Sequence, residues 1–286
     1  MKRDILKFID ENMSTFSKGQ KKIAAYIKES YDKAAFMTAA KLGGTVGVSE
    51  STVVRFVTEF GFEGYPEFQK ALKELVRTNL TSVQRVEVTN SLIGDADVLD
   101  KVLMSDMEKI KKTAEGIDKA AFESAVKHIA TAKNIYLIGV RASSYLVGFL
   151  NYSLRMIFDN VRMIQTTSGS EIYEQMMNID EEDVLVAVSF PRYSRTIIKG
   201  VEYAHKRGAN IIALTDSNES PIAGCADELL VAQSDMASFA DSLVAPMSVV
   251  NALIVAVSRE SSEALSERLH RLEAVWDEYG VYDTKR

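Results

Sequence analysis

Two short stretches of the sequence combine hydroxyl and guanidinium side chains in a way that could bind an anion. The first is GVRASS, residues 139–144, and the second is SFPRYSRT, residues 189–196. Each follows an apolar run typical of a buried strand and precedes a segment with helical periodicity, so each should present free backbone N–H groups at the start of a helix. A phosphorylated small molecule suits such donors. The side chains predicted to bind it are Arg141, Ser143, Ser144, Ser189, Arg192, Ser194 and Thr196.

Nucleotides are poor candidates for these two loops. Neither loop carries the lysine of a P-loop, and no complete G-x-G-x-x-G is present. A hydroxyl side chain at such a position can also cap a helix without binding any ligand, and this alternative stays open for Ser143, Ser189 and Thr196. The stretch TTSGSE, residues 166–171, follows another predicted strand and is expected to border the same pocket.

A third stretch, residues 38–61, has the pattern of a DNA-reading helix-turn-helix. Gly47 lies in a predicted tight turn, Ser49 is a good N-cap for the helix that follows, and Gly61 stands where a left-handed residue would end that helix. Apolar residues at helical spacing form the inner stripe of this helix, namely Val53, Phe56, Val57 and Phe60.

The opposite side of the same helix is small and polar, which suits contact with DNA. The predicted DNA-binding side chains, including two from the preceding basic helix, are Ser49, Ser51, Thr52, Arg55, Lys18 and Lys22. Those at positions 51, 52 and 55 are predicted to face base edges, and the others to lie near phosphates. Two alternatives stay open. The stretch could be an ordinary helix pair joined by a glycine turn, and Arg55 could pair with an acid such as Glu59 to stabilise the fold.

These stretches must be positioned by two different domains, of which the first is all-α. Residues 1–77 show helical periodicity and capping signals, among them a Ser17-x-x-Gln20 capping box. They predict a helix-turn-helix domain. Residues 78–96 show no sustained period and are predicted to be a linker.

The second domain is predicted to be α/β over residues 97–286, with its core over residues 120–265. Apolar runs that alternate with helical segments are the predicted strands, namely NIYLIGV, VRMIQT, DVLVAVSF, NIIALTD and DELLVA. This alternation predicts a doubly wound, five-stranded parallel sheet with ligands bound at the C-terminal ends of its strands. A long apolar helix starting near Ser238 is predicted to complete the domain and to serve dimerisation.

Composition and charge fit this division. The chain has a net charge of −6, yet residues 1–80 carry 13 basic and 10 acidic side chains, against 21 and 30 in the remainder. A mildly basic N-terminal segment followed by an acidic remainder favours a DNA-binding domain joined to a sensing domain. A single cysteine, three separated histidines and the lack of a long apolar run predict a cytoplasmic protein without a disulfide framework, metal site, cofactor or membrane partner.

Two motifs in the first domain carry a resemblance to a known family. SKGQKKIAAYI and the later run LGGTVGVSESTVVRFVTEFGFEGYPEFQ resemble the N-terminal domain of RpiR-type transcription regulators over about residues 1–77. Gly43 departs from the family pattern, which usually has alanine there. The resemblance implies a domain that binds operator DNA.

The second domain resembles a sugar isomerase (SIS) domain over about residues 120–265. Gly139, Ser143 and Ser189 match its phosphosugar-binding loops, whereas Arg141 replaces a glycine and FPRY enlarges the second loop. The resemblance implies binding of a phosphosugar-like effector.

Together, the two resemblances imply a transcription regulator of carbohydrate metabolism, a homodimer or homotetramer whose effector alters operator binding. No catalytic residue is predicted, because no acid–base motif for aldose–ketose isomerisation is recognisable. Two alternatives remain. The chain could be a phosphosugar isomerase with an accessory helical domain, or a regulator whose SIS domain only dimerises.

Overall fold

The chain folds into two compact units. The computed structural model describes residues 5–79, 81–93, 97–165, 170–236 and 238–282. The first unit comprises residues 1–96 together with residues 236–240, and the second comprises the rest of the chain. Each unit buries its own set of apolar side chains. In the described parts of the chain, no helix has both the length and the apolar character needed to cross a bilayer.

The first unit is built from helices around an aromatic core. Its described helices are α1 Ile5–Asn12, α2 Lys18–Ala34, α3 Ala39–Val46, α4 Glu50–Glu59, α5 Tyr65–Asn79 and α6 Ser82–Ile93. Phe60 is 3% exposed and its ring centroid lies 4.4 Å from that of Phe8, 4.8 Å from that of Phe56 and 5.8 Å from that of Phe68. Phe60 is therefore the hub that joins α1 and α5 to the end of α4.

Local capping chemistry sets the ends of these helices, as the sequence predicts. Ser17 and Gln20 form a reciprocal capping box at the start of α2. The Ser49 side chain accepts the Thr52 backbone N–H at the start of α4. The chain after α4 turns at Gly61, whose φ of +87° is a left-handed conformation that glycine adopts at little cost.

Helices α3 and α4 approach each other closely because residue 43 has no side chain. A Cβ atom at Gly43 would lie 2.8 Å from the Val48 carbonyl oxygen, a separation shorter than van der Waals contact. The neighbouring Gly44 has nothing within 4 Å of such an atom. Gly43 thus supports the tight turn, whereas Gly44 only lowers the helix propensity of α3.

Helix α5 closes the unit by clamping the segment between α2 and α3. The Tyr65 hydroxyl and the Gln69 side-chain amide both donate to the Met37 carbonyl, at 2.9 and 2.7 Å. Burial raises the pKa of Tyr65 to about 12, so its hydroxyl remains a donor at any physiological pH.

The second unit contains the predicted five-stranded parallel sheet. Its strands are β1 Ile135–Ile138, β2 Val161–Met163, β3 Val184–Val188, β4 Asn210–Thr215 and β5 Glu228–Val231. They pair in the order β2-β1-β3-β4-β5, and every pair is parallel. The prediction of fold class is confirmed, and each of the five apolar runs corresponds to one strand.

Helices cover both faces of this sheet. The described helices of this unit are α7 Val98–Gly116, α8 Lys119–Thr131, α9 Ser143–Arg155, α10 Glu171–Gln175, α11 Arg195–Lys206, α12 Val244–Glu260 and α13 Ser262–Tyr279, of which α7 and α13 pack against α12. Leu137 of β1 packs in the core formed with α8, α9 and α12, and the next residue, Ile138, packs in the core formed with α10 and α11. The alternation follows from the two-residue period of a strand.

Three sequence-based predictions differ from the structure. The segment 78–96, predicted as a linker, contains helix α6, whose apolar residues are too scattered to form one stripe. The apolar helix predicted from near Ser238 begins at Val244. Helix α13 was not predicted, and it contributes no fully buried side chain to the core. Helices α6 and α13 lack a strong amphipathic period, which is the signal that predicts a helix.

Candidate functional sites

The outer face of α4 presents a cluster of small hydroxyl side chains at its N-terminus. The Ser49 Oγ lies 2.9 Å from the Ser51 Oγ and 2.8 Å from the Thr52 Oγ1. Ser51 is exposed, as is Ser49. Backbone N–H groups at this helix start and the three hydroxyls together offer hydrogen bonds to phosphates or base edges.

Thr52 lies deeper than the sequence-based prediction implies. It is half-buried, and a Cβ atom on Gly19 of α2 would stand 3.4 Å from its methyl carbon. With its hydroxyl bonded to Ser49, Thr52 supports the packing of α2 against α4. Its contact with base edges stays a prediction.

Arg55 is exposed on the same face and is held along the helix. Its Nε donates to the Ser51 carbonyl at 3.3 Å. Glu59 accepts a hydrogen bond from the Gln20 amide at 2.6 Å, so the acid that Arg55 could have paired with is engaged elsewhere. Within the described residues the other two guanidinium nitrogens make no hydrogen bond or ion pair, so they can bind a ligand.

The predicted phosphate-contacting lysines extend from α2 beside this face. Lys18 and Lys22 are both exposed. The Lys22 ammonium lies beside the turn, 3.6 Å from where a Cβ of Gly47 would stand. The structure therefore brings Lys22 next to the start of α4, as expected for a phosphate contact.

Val54 is a residue that the sequence analysis missed. It lies on α4 three residues after Ser51 and is 37% exposed. An exposed β-branched apolar side chain on a DNA-facing helix can contact the methyl group of thymine. Its spacing from Ser51 and Arg55 places Val54 on the exposed face, but its residue type gives no functional signal because valine fits a core position equally well.

The second candidate site is a crevice at the C-terminal edge of the sheet. Strands β1 and β3 are neighbours, and α9 follows β1 on one face while α11 follows β3 on the other. The strand order reverses between β1 and β3, and ligands of doubly wound sheets bind at such a switch point. The two predicted loops, residues 139–142 and 189–194, leave their strands at this point.

Two serine hydroxyls in the crevice have no hydrogen-bond partner among the described residues. Ser143 is 8% exposed and Ser189 is 4% exposed, yet neither side chain makes a hydrogen bond there. Ser143 begins α9 without capping it. Both residues are nearly buried while their hydroxyls are unused, so both hydroxyls are candidate ligand contacts rather than caps.

The other predicted hydroxyls differ in their surroundings. The Ser144 hydroxyl donates to the Arg141 carbonyl at 2.6 Å and holds the loop after β1 in shape. Ser194 is the N-cap residue of α11 but makes no capping bond through its side chain, and Thr196 is half-buried in the first turn. Of the TTSGSE stretch predicted to border the pocket, residues 166–169 lie outside the described part of the chain.

The two arginines of these loops have unusual backbone conformations. Arg141 has a φ of +55° and Arg192 a φ of +62°, and among the described residues they are the only non-glycine residues with positive φ. Both side chains are exposed. A left-handed conformation costs a residue with a side chain about 1 kcal/mol, a cost that recurs at functional sites.

A buried carboxylate anchors the loop after β3, and the sequence analysis missed it. The Tyr193 hydroxyl donates to Asp216 at 2.9 Å from Oδ1, and the Thr215 hydroxyl lies 3.1 Å from the same oxygen. Asp216 is 4% exposed at the end of β4. Only the fold reveals this contact, because 23 residues separate Tyr193 from Asp216.

Comparison with family models identifies both domains. Residues 3–78 match the helix-turn-helix domain of the rpiR family, and residues 128–256 match the SIS domain. An uncharacterized HTH-type transcriptional regulator of Clostridium perfringens is 25% identical over 95% of this chain and 98% of its own length. A second such regulator, of Caldanaerobacter subterraneus, is 26% identical over 90% of this chain and 91% of its own.

Solved structures are similar to the whole chain as well as to its second unit. The Vibrio vulnificus NanR protein complexed with ManNAc-6P is 26% identical, with a TM-score of 0.60, over 96% of this chain and 99% of that protein. The sugar isomerase domain of an RpiR transcription factor from Sphaerobacter thermophilus is 28% identical, with a TM-score of 0.58, over 61% of this chain and 97% of that domain.

Proposed function

The chain belongs to the RpiR-type transcription regulators, which join an rpiR-family helix-turn-helix domain to a SIS domain, and on this premise we propose that a phosphosugar-like effector controls its binding to operator DNA. One observation carries the effector part of this proposal. The switch-point crevice of the SIS domain holds two nearly buried serine residues, Ser143 and Ser189, whose hydroxyls have no partners among the described residues. A regulator of this kind acts where its operator lies, in the cytoplasm.

The DNA part of the proposal assigns distinct tasks to the residues of the helix-turn-helix. Ser51 and Arg55 on the exposed face of α4 contact base edges, and Val54 contacts a thymine methyl group. Lys18, Lys22 and Ser49 contact phosphates. Support comes from the exposure of these side chains and from the position of the Lys22 ammonium beside Gly47.

Substitutions at Arg55 and Lys22 should weaken DNA binding in different ways. For Arg55→Ala we expect a loss of about 1–3 kcal/mol per half-site and a relaxed base preference, because a bidentate base contact is removed. For Lys22→Ala we expect a loss on all sequences and a salt-dependence slope lower by about 1 per half-site. Fluorescence anisotropy against a duplex selected by the wild-type chain from a random library measures both.

The matched control for these two variants is Lys7→Ala, which removes one exposed positive charge from α1, where Lys7 lies 3.9 Å from Glu11. We expect the control to bind DNA as the wild type does. Equal losses in all three variants would contradict the assigned tasks, because they would indicate a general electrostatic effect.

The effector part is supported by the donors in the crevice and by a relative. The N-terminus of α11 and the unpartnered serine hydroxyls suit the oxygens of a phosphate. The NanR protein, similar to this chain over nearly its whole length, forms a complex with ManNAc-6P. We therefore assign a phosphosugar-like ligand to this crevice and a sensing rather than catalytic role to the domain.

Effector control follows from linkage. We expect the effector to bind one arrangement of the protein more tightly, and only one arrangement to match the operator. The effector then changes the affinity for DNA by the same factor by which DNA changes the affinity for the effector. A panel of sugar phosphates, titrated into the protein–duplex complex while anisotropy is followed, tests this. We expect one member to shift DNA affinity at least about fivefold, with its unphosphorylated sugar and inorganic phosphate without effect.

Two results would overturn this proposal. Enzymatic turnover of a sugar phosphate by the purified chain would favour a phosphosugar isomerase. A panel in which no sugar phosphate binds would favour a SIS domain that only dimerises.

We also propose that the chain binds DNA as a homodimer, alone or within a homotetramer. Exposed apolar side chains form a stripe on one helix of the second unit, α7, at positions 99, 103, 107 and 110. A helix that exposes such a stripe normally buries it against a partner. Paired helix-turn-helix domains then bind two half-sites of an operator.

A further inference from the structure

We propose that a buried carboxylate, Asp216, holds the loop after β3 in its ligand-binding conformation through the hydroxyl of Tyr193. Neither residue is assigned a contact with the ligand, so both are positioning residues of the effector site. The inference rests on the proposed function, because it explains how the same crevice is kept ready for its phosphosugar-like effector.

The loop after β3, residues 189–194, is anchored near both of its ends. At the start of the loop, Phe190 is 7% exposed and packs in the core formed with α8, α9 and α12. Near its end, the Tyr193 hydroxyl donates to the Asp216 carboxylate, with its oxygen 2.9 Å from Oδ1 and 3.1 Å from Oδ2. Ser194 follows Tyr193 directly, and its hydroxyl makes no capping bond to α11. The second anchor therefore fixes the backbone that presents a proposed ligand contact.

Asp216 is a rigid acceptor because it is itself held at the end of β4. It is 4% exposed and directly follows Thr215, the last residue of that strand. The Thr215 hydroxyl lies 3.1 Å from the Asp216 Oδ1 and 2.8 Å from the hydroxyl of Ser220, and both hydroxyl-bearing residues are buried. Strand β4 pairs with β3, the strand from which the loop leaves. The position of the acceptor is thus set by the sheet and not by the loop.

The charge of the acceptor makes this anchor strong. A hydrogen bond to a carboxylate is roughly twice as strong as one between neutral groups. A buried carboxylate that loses a donor carries a large desolvation penalty, so loop conformations that withdraw the Tyr193 hydroxyl from Asp216 are disfavoured. The free protein therefore populates the binding conformation before the ligand arrives, which lowers the ordering cost of binding.

The test measures the binding kinetics of Tyr193→Phe, which removes the hydroxyl and keeps the ring. Glucose 6-phosphate, glucosamine 6-phosphate and N-acetylmannosamine 6-phosphate are the probes, and surface plasmon resonance on the full chain gives the two rate constants. The apparent association rate constant scales with the fraction of protein in the binding conformation. For each probe that binds the wild type we expect it to fall roughly tenfold, as loss of one charge-assisted hydrogen bond allows, with the dissociation rate constant unchanged.

The matched control is Asn134→Ala, which removes a similar bond at the opposite edge of the sheet. The Asn134 side-chain amide donates at 2.7 Å to Asp183, a carboxylate that is 1% exposed. These two residues directly precede β1 and β3, away from the C-terminal edge that forms the crevice. We expect this variant to have a lower melting temperature and wild-type rate constants. Asp216→Asn keeps an oxygen acceptor without the charge and should slow association less than Tyr193→Phe does.

The outcomes separate this inference from the proposed function. If Tyr193→Phe binds the probes with wild-type rate constants, Asp216 does not position the loop, and the inference is wrong while the effector class stands. The inference is also wrong if only the dissociation rate constant rises, since Tyr193 would then contact the ligand. Equal slowing of association in Asn134→Ala would contradict it as well, because the cause would be a general loss of stability. If no probe binds the wild type, the effector proposal itself fails, and this inference fails with it.

Discussion

Replacing Phe60 with alanine is expected to destabilise the helix-turn-helix domain by about 3–5 kcal/mol, the cost of removing a buried phenylalanine side chain from a packed core. Phe60 is 3% exposed, and its ring contacts those of Phe8, Phe56 and Phe68. Phe60 also caps the C-terminus of α4, the helix proposed to read DNA. The cavity would therefore loosen the recognition helix itself.

The loss of stability in Phe60→Ala should impair DNA binding and leave effector binding intact. For a domain of this size a loss of 3–5 kcal/mol lowers the melting temperature by roughly 12 °C or more. Operator binding should disappear near the lowered melting temperature of the variant. Calorimetry should still detect effector binding there, because the second unit has its own core. Circular dichroism, followed against temperature and against urea concentration, measures the loss of stability.

The matched control is Phe36→Ala. Phe36 is 37% exposed, and its ring contacts the Lys73 ammonium at 5.8 Å from the centroid. Removing this exposed ring should cost about 1 kcal/mol or less. Were the two variants equally stable, the aromatic cluster around Phe60 could not be the core that holds α4.

A pair of charges on α7 is expected to dissociate the dimer. Leu103→Glu/Met107→Glu places two carboxylates in the exposed stripe, where Leu103 is 52% and Met107 is 62% exposed. In a symmetric dimer four side chains change, and each costs about 1 kcal/mol or more in lost apolar burial and carboxylate desolvation. The dimer dissociation constant should therefore rise about 1,000-fold or more.

Sedimentation equilibrium measures this dissociation constant directly. The monomer should remain folded, because both positions are exposed in the single chain. Operator affinity should fall with dimerisation, since the two half-sites are then no longer bound jointly. The prediction that α7 is the interface requires the apolar residues of α12 to be buried within the core of the same chain. The packing of α12 meets this requirement.

Helix α12 illustrates how the structure revised this expectation. Its length and apolar character indicated a second role in dimerisation. The structure buries Val249, Val250, Leu253 and Val257 in the core of the same unit, and α12 packs against α7, α8 and α9. Val255 stays 60% exposed. A core helix packed on several sides needs no partner subunit to explain its apolar residues.

The control for the dimer prediction lies on α13. Val275→Glu/Tyr279→Glu introduces the same charge on exposed apolar positions, of which Val275 is 48% and Tyr279 is 74% exposed. We expect it to leave the dimer intact. Dissociation by the α13 variant and not by the α7 variant would move the interface to α13.

Features with a local cause could be predicted from the sequence. The capping box of Ser17 and Gln20, the N-cap Ser49 and the left-handed Gly61 depend on residues within one turn of each other, and all three are present. The five strands of the parallel sheet are buried apolar runs bounded by turn residues, and each run was recognisable by itself. Family resemblance added the two domain identities, which the family models confirm.

Features that depend on a partner distant in the sequence needed the tertiary structure. Thr52 is half-buried because Gly19 of another helix packs against it, and Tyr193 is anchored by Asp216 from another strand. Helix α6 has no strong period of its own, yet it buries Arg85 and Val88. No local spacing encodes which side of a helix a neighbour covers.

The candidate effector site likewise has features that the sequence predicts and features that depend on the tertiary structure. The residue types of the two loops predicted an anion site, because free N–H groups, hydroxyls and arginines are donors in any fold. Only the tertiary structure decided that the loops meet at the switch point between β1 and β3 and that Arg141 and Arg192 adopt left-handed backbone conformations. It also decided that the Ser143 and Ser189 hydroxyls have no partner among the residues that the structure describes. These three properties depend on how the strands pair, and strand pairing is decided by burial across the whole sheet.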